Sequence, residues 1–141
     1  MLTIPDSSVW SLAFRRSPRA RLSATETAVV SELQSLVRNQ EVLLIGPVRQ
    51  ECLSGIRDEL RFRRILQQLR AFPDEPLLTE DFERAADFFN RVTSRGLAAT
   101  TVDLLICAFA TRVDAAILAV DRDYSRYLPH CPIRLHPLSR T

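Results

Sequence analysis

The chain has no lysine: all 19 of its basic residues are arginine. That absence removes several chemistries at once. A Walker-type phosphate loop needs its lysine, and Schiff-base and pyridoxal-phosphate enzymes need a lysine amine. Glycine is nearly as scarce, with three residues in 141, so a glycine-rich phosphate cradle is not expected either. Cys52, Cys107 and Cys131 are odd in number, widely spaced and without a C-x-x-C pair. This argues against a disulfide framework or a zinc site and for reduced, mostly buried thiols. The longest strongly apolar run, "LLICAFA" at 104–110, is far too short to span a bilayer. No basic start followed by a long apolar stretch opens the chain, so a cytoplasmic protein with no membrane partner is expected.

What is present describes an ordinary globular chain. With 141 residues, 46% of them apolar, it can bury a core without disulfides or a structural metal, and a single domain over 1–141 is expected. A formal charge of +2 with 26% charged residues names no partner by itself. Short apolar runs of strand character fall at 2–4, 42–45, 115–120 and 133–138, and stretches of helical periodicity at 24–40, 58–72, 79–96 and 100–113. Alternation of this kind predicts an α/β fold with a mainly parallel sheet flanked by helices. Ser23 with Glu26 suits a capping box, Pro47 the first position of a helix, and Gly96 the residue after one. Prolines around the last strand place it at a sheet edge.

Ligands of an open parallel sheet bind beyond the carboxyl ends of its strands, and four acids have positions suited to that place. Asp6 follows the first strand and Asp121 follows "AILAV". Glu51 lies just over one turn into the helix after "VLLI". Asp103 lies in the first turn of the helix that leads into "AILAV". Helical side chains tilt toward the N-terminus, so Glu51 and Asp103 can reach back toward the strand ends.

Each acid also has a plainer explanation. Asp6, Ser7 or Ser8 can cap the first helix; if a serine does so, Asp6 is left to face a ligand. Thr100 and Asp103 fit a capping box, and Asp121 or Asp123 can cap the short helix that follows them. Yet Asp103 interrupts an apolar run, and Glu51 flanks the stripe formed by Val48, Cys52 and Ile56. Four converging carboxylates repel one another unless compensated. With no lysine to intervene, a divalent cation is the economical solution, and an all-oxygen donor set suits Mg²⁺ or Mn²⁺ better than zinc.

Taken in order, "IPDSSVW", "PVRQECLSGI", "TTVDLLICAFA" and "ILAVDRDYSRY" resemble the four motifs of the PIN-domain family, and within it the VapC-type toxins of bacterial toxin–antitoxin pairs. On that resemblance Asp6, Glu51, Asp103 and Asp121 are the catalytic and metal-holding acids. Ser8 and Asp123 support them, and Tyr124 stands where an aromatic is usual. Ala119 departs from the family, which often has Thr or Ser two residues before the last acid; whether Asp121 or Asp123 is the nearer ligand stays open.

The resemblance implies a PIN-like three-layer fold and a metal-dependent endoribonuclease in which one or two Mg²⁺ or Mn²⁺ ions activate water to cleave RNA, leaving a 5′-phosphate and a 3′-hydroxyl. It further implies a homodimer and a VapB-like antitoxin whose tail fills the active-site groove. The arginines Arg15, Arg16, Arg19 and Arg21 are either candidates for holding RNA beside the acids or a solvated loop. Trp10 and Phe14 read as a core or dimer stripe, and His130, Cys131 and His136 as a poor metal set. Three other readings compete. A PIN-like module without activity would have lost acids, a receiver domain needs a lysine, and a haloacid-dehalogenase-like phosphatase needs an acid where Ser8 stands.

Overall fold

The computed structural model describes residues 1–14, 21–120 and 122–138, so the predicted site residues Arg15, Arg16, Arg19 and Asp121 lie outside the described residues. The first strand, β1 (Thr3–Pro5), leads into helix α1 (Ser7–Ala13). Helices α2 (Ala24–Arg38), α3 (Gly46–Leu53), α4 (Glu59–Leu69), α5 (Thr79–Ser94) and α6 (Thr101–Val113) follow. Strand β2 (Ala116–Leu118), the short helix α7 (Asp123–Tyr127) and strand β3 (Arg134–Leu135) complete the order. The sheet is parallel throughout, in the order β1-β2-β3, with Ile4 opposite Ile117 and Ile117 opposite Leu135. This is the α/β arrangement expected, with β3 at the edge. Among the described residues no helix is long and apolar enough to cross a membrane.

One expected strand is corrected. Residues 42–45 meet the sheet only through the isolated bridge of Thr3 to Val42, while Leu44 bridges to Asp74 outside it. The cause lies in β1. Alternate strand residues direct their backbone groups to the same side. Thr3 donates its N–H to Glu41 O (2.8 Å) and accepts from Leu43 N (2.9 Å). The next residue facing that side is Pro5, which has no N–H to offer, so the ladder stops after one bridge. The opposite side of β1 keeps its pairing, because Leu2 O accepts from Ala116 N (2.9 Å) and Asp6 N donates to Leu118 O (3.0 Å). Pro5 is thus the last residue of β1, one past the apolar run at 2–4.

The helix boundaries follow local chemistry. Ser23 and Glu26 form the reciprocal capping box at the start of α2, with bonds of 3.1 and 3.0 Å. Helix α3 begins one residue earlier than expected, at Gly46, which places Pro47 second. Gly96, at φ +79°, accepts the left-handed turn after α5 at little steric cost. The core centres on α6, whose Leu104–Ala110 run is buried on every side. It packs against β1, β2 and α5, and burial of each large side chain there contributes about 2 kcal/mol. Helix α5 meets it with Ala85, Phe88 and Val92, a stripe at helical spacing.

The α5–α6 pair is also tied by a buried charge. Asp81, 1% exposed, accepts two bonds from Arg112, at 2.8 and 3.0 Å, and one from Leu78 N at 2.9 Å. Burial acts to raise the Asp81 carboxyl, but the Arg112 bonds and the Leu78 amide together hold it below the ordinary carboxylate range. A carboxyl lowered by folding contributes stability that is complete above its unfolded value, near pH ~4, and fades as pH falls through its folded value. Asp81→Asn should therefore lower the Tm at pH 7, by about 5 °C. The gap to the wild-type protein should close as the pH is taken from 5 to 2. Equal melting temperatures at pH 7 would show that the pair is not a tether.

Candidate active site

Asp6 sits at the carboxyl end of β1 and is 5% exposed. Its extended backbone (φ −79°, ψ 174°) makes it the N-cap of α1. One carboxylate oxygen accepts from Ser8 N (3.0 Å) and Val9 N (3.4 Å), and also from the Ser8 hydroxyl. Of the three candidates for the cap of α1, the structure shows Asp6, not Ser7 or Ser8. An acid immediately before the first helical residue is the one whose oxygens reach the orphan amides of the first turn. Ser8, already inside that turn, donates to the cap instead. Capping and facing the end of the sheet are properties of the same side chain.

Glu51 lies on α3, exposed, and accepts the Ser7 hydroxyl at 2.9 Å. Ser7 thus ties the start of α1 to α3. Two residues before Glu51, Arg49 holds α3 in place by donating to Leu69 O (3.1 Å), to Phe72 O and to Asp74 Oδ1 (2.8 Å). Next to Glu51, the buried Cys52 thiol is pushed up to about 12, by burial first and then by the Glu51 and Asp6 carboxylates, against a smaller opposing effect of Arg49. Asp6 and Glu51 therefore act on one neighbourhood.

Asp103 occupies the third position of α6, where the N-cap Thr100 accepts its backbone N–H at 3.1 Å. Its two oxygens accept from two phenols of α7: Tyr124 to Oδ1 at 3.2 Å and Tyr127 to Oδ2 at 3.3 Å. Both phenols are raised above their ordinary range. For Tyr124 the causes are burial and then the Asp6 and Asp103 carboxylates; for Tyr127 they are burial and then Asp103. Asp6 therefore acts on Cys52 together with Glu51 and on Tyr124 together with Asp103. Glu51 and Asp103 thus each share one neighbour with Asp6.

The remaining predicted residues divide. Asp123 opens α7, half-buried, 3.9 Å from Arg126 Nη1, and Arg21 is exposed. His136 belongs to the fold rather than to a metal set with His130 and Cys131. Its Nδ1 lies 3.1 Å from Thr3 Oγ1 and its Nε2 lies 2.7 Å from Glu32 Oε1. Trp10 stacks on Phe14 at 5.9 Å and meets Phe72 edge-on at 5.2 Å, which is core packing. Ser7 and Tyr127 are the participants that sequence reasoning missed. A hydroxyl beside a motif acid was the available signal for Ser7. For Tyr127 it was the i, i+3 spacing from Tyr124.

The donor chemistry suits a hard cation. Asp6, Glu51 and Asp103 present carboxylate oxygens, while the nearby Cys52 thiol and the Cys107 thiol are pushed up by burial and stay protonated, unlike the thiolates that soft metals select. Among the described residues, no three His, Cys, Asp or Glu side chains gather closely enough to hold an ion by themselves. Beside the starts of α3 and α6 runs an apolar groove of about 410 Å³, lined by Pro47, Phe82, Ala85, Phe89, Val102 and Leu105.

The architecture has counterparts among solved structures. FitAcB from Neisseria gonorrhoeae matches with a TM-score of 0.72 at 16% identity, over 96% of this chain and 97% of that one. VapBC2 from Rickettsia felis, bound to a DNA fragment from its promoter, matches with 0.72 at 14% identity, over 99% and 100%. VapBC-1 from nontypeable Haemophilus influenzae matches with 0.69 at 13% identity, over 96% and 97%. At these identities the likeness is one of fold. The family described as PIN domain matches residues 3–127, nearly the whole of the chain that carries these acids, and the protein belongs to the PIN-domain family.

Proposed function

We propose that the protein is a metal-dependent endoribonuclease, acting in the cytoplasm as the toxin of a toxin–antitoxin pair with a VapB-like antitoxin. The observation that carries this reading is the PIN-domain match over residues 3–127, which spans Asp6, Glu51, Asp103 and Asp121, supported by the Ser7 bond that ties the start of α1, beside Asp6, to Glu51. The likeness of fold to the FitAcB and VapBC structures supports the toxin part of it. Asp6, Glu51 and Asp103 would hold Mg²⁺ or Mn²⁺, with Asp121, which follows β2 in sequence, completing the set. When bound, such an ion acidifies water and neutralises charge on the scissile phosphate.

The chain's own residues supply the rest. The amides of α1 and the Ser8 hydroxyl orient the Asp6 carboxylate, and the Ser7 hydroxyl orients that of Glu51. At the start of α6 the helix dipole favours negative charge on Asp103. Arg21, with Arg15, Arg16 and Arg19, would take the RNA backbone, since guanidinium pairs bidentately with phosphate. The apolar groove beside α5, with Phe82 52% exposed at its rim, has the character of a homodimer surface. Two neighbouring readings remain distinct from this one. An inactive PIN-like module would bind without cleaving, and a PIN nuclease outside a pair would have no small DNA-binding protein encoded beside its gene.

Purified protein should cleave total RNA in Mg²⁺ or Mn²⁺, leaving 5′-phosphate and 3′-hydroxyl ends, and chelator should stop it. Asp103→Asn should lower the rate about 100-fold or more. Cleavage that survives both the chelator and the substitution contradicts the mechanism. The double role of Asp6 is separable, because asparagine caps a helix about as well as aspartate. Asp6→Asn should melt within a few degrees of the wild-type protein and yet be inactive, whereas Asp6→Ala should be inactive and also less stable, by about 1 kcal/mol. An active Asp6→Asn protein would make Asp6 a cap and nothing more. Phe82→Glu should shift the protein from dimer to monomer in light scattering; an unchanged mass would move the interface elsewhere.

A further inference from the structure

We propose that Tyr124 and Tyr127 are positioning residues for Asp103, a pair of phenols that sets its carboxylate for a divalent cation before the cation arrives. This rests on the reading of Asp103 as a metal-holding acid. The chain contains two tyrosines in all, and both hydroxyls end on the same carboxylate, one on each oxygen, at 3.2 and 3.3 Å. The two tyrosines are 1% exposed and their rings meet edge to face at 5.7 Å, so each is fixed by packing. An ionised carboxylate only accepts, so each phenol must be the donor.

Two donors on different oxygens fix the plane of the carboxylate, because rotation about the Cβ–Cγ bond would break both contacts. Packing alone does not explain the hydroxyls. Phenylalanine would fill both places with the same ring and no buried polar group to satisfy. The spacing explains the pair: residues three apart share one face of a helix, and α7 turns that face to the first turn of α6. The helix that begins at the last motif's Asp123 therefore orients the third motif's acid, so two motifs apart in sequence are set by one packing contact. Outer partners of this kind govern metal affinity by fixing ligand orientation.

The test is Mn²⁺ binding by isothermal titration calorimetry on the full chain, with Tyr124→Phe, Tyr127→Phe and the double variant compared with wild type. Each variant keeps its ring, and circular dichroism with metal-free melting checks the fold. Each single variant should raise the Mn²⁺ Kd by about 10-fold, and the double variant by more than either. RNA cleavage at limiting Mn²⁺ should fall in parallel and recover when Mn²⁺ is raised to saturation. A double variant that is folded and binds Mn²⁺ within twofold of wild type overturns the proposal, including when its metal-free melting point is lower, since the hydroxyls would then serve the fold alone. Absence of Mn²⁺ binding by the wild-type protein is a different failure. It overturns the metal reading itself, and this proposal with it.

Discussion

The structure turns on how β1 hands over to α1 at Asp6. The backbone N–H of that residue makes the last bond to β2, at Leu118 O, while its carboxylate closes the first turn of α1 through Ser8 and Val9. One residue therefore ends the strand, starts the helix and leaves an acid at the carboxyl end of a parallel sheet. Pro5 makes the handover abrupt. It stops the ladder on the side of residues 41–43 but not on the side of β2, so the chain breaks away at one edge while Asp6 stays registered at the other.

A common device runs through the three described acids. Each is fixed by hydroxyls: Ser8 on Asp6, Ser7 on Glu51, and Tyr124 with Tyr127 on Asp103. Two of these contacts join separate motifs, α1 to α3 and α7 to α6. Hydroxyl donors orient a carboxylate without adding a positive charge of their own. A lysine or arginine in the same places would hold the acid as firmly but cancel it. The bidentate Asp81–Arg112 pair shows that alternative in the same molecule, where a buried carboxylate is committed to its guanidinium and ties α5 to α6.

Most of the fold was legible in the sequence, because apolar periodicity and caps are local. Helices α2, α4, α5 and α6 fall within a few residues of their expected bounds. Residues 42–45 were misread as a strand since their apolar content is right; the missing donor that shortens the ladder belongs to Pro5, some forty residues away. Asp6, Glu51 and Asp103 were visible as motif acids. Their partners were less so, because where a hydroxyl points is decided by tertiary packing. Ser8 could be paired with Asp6 from its spacing alone, whereas Ser7 reaches Glu51 only once α1 and α3 pack, and Tyr127 reaches Asp103 only once α7 docks on α6. At Asp6 the structure shows the cap, and a side chain at a strand–helix junction can also face the end of the sheet.

The central claim is that hydroxyl contacts hold these acids ready for a divalent cation. Crystals grown in Mn²⁺ and measured at the manganese absorption edge test it most directly. The account predicts an anomalous peak in contact with the Asp6 and Asp103 carboxylates, with the Ser8, Tyr124 and Tyr127 bonds intact around them. A peak elsewhere, or acids that must leave those hydroxyls to reach the metal, would contradict it.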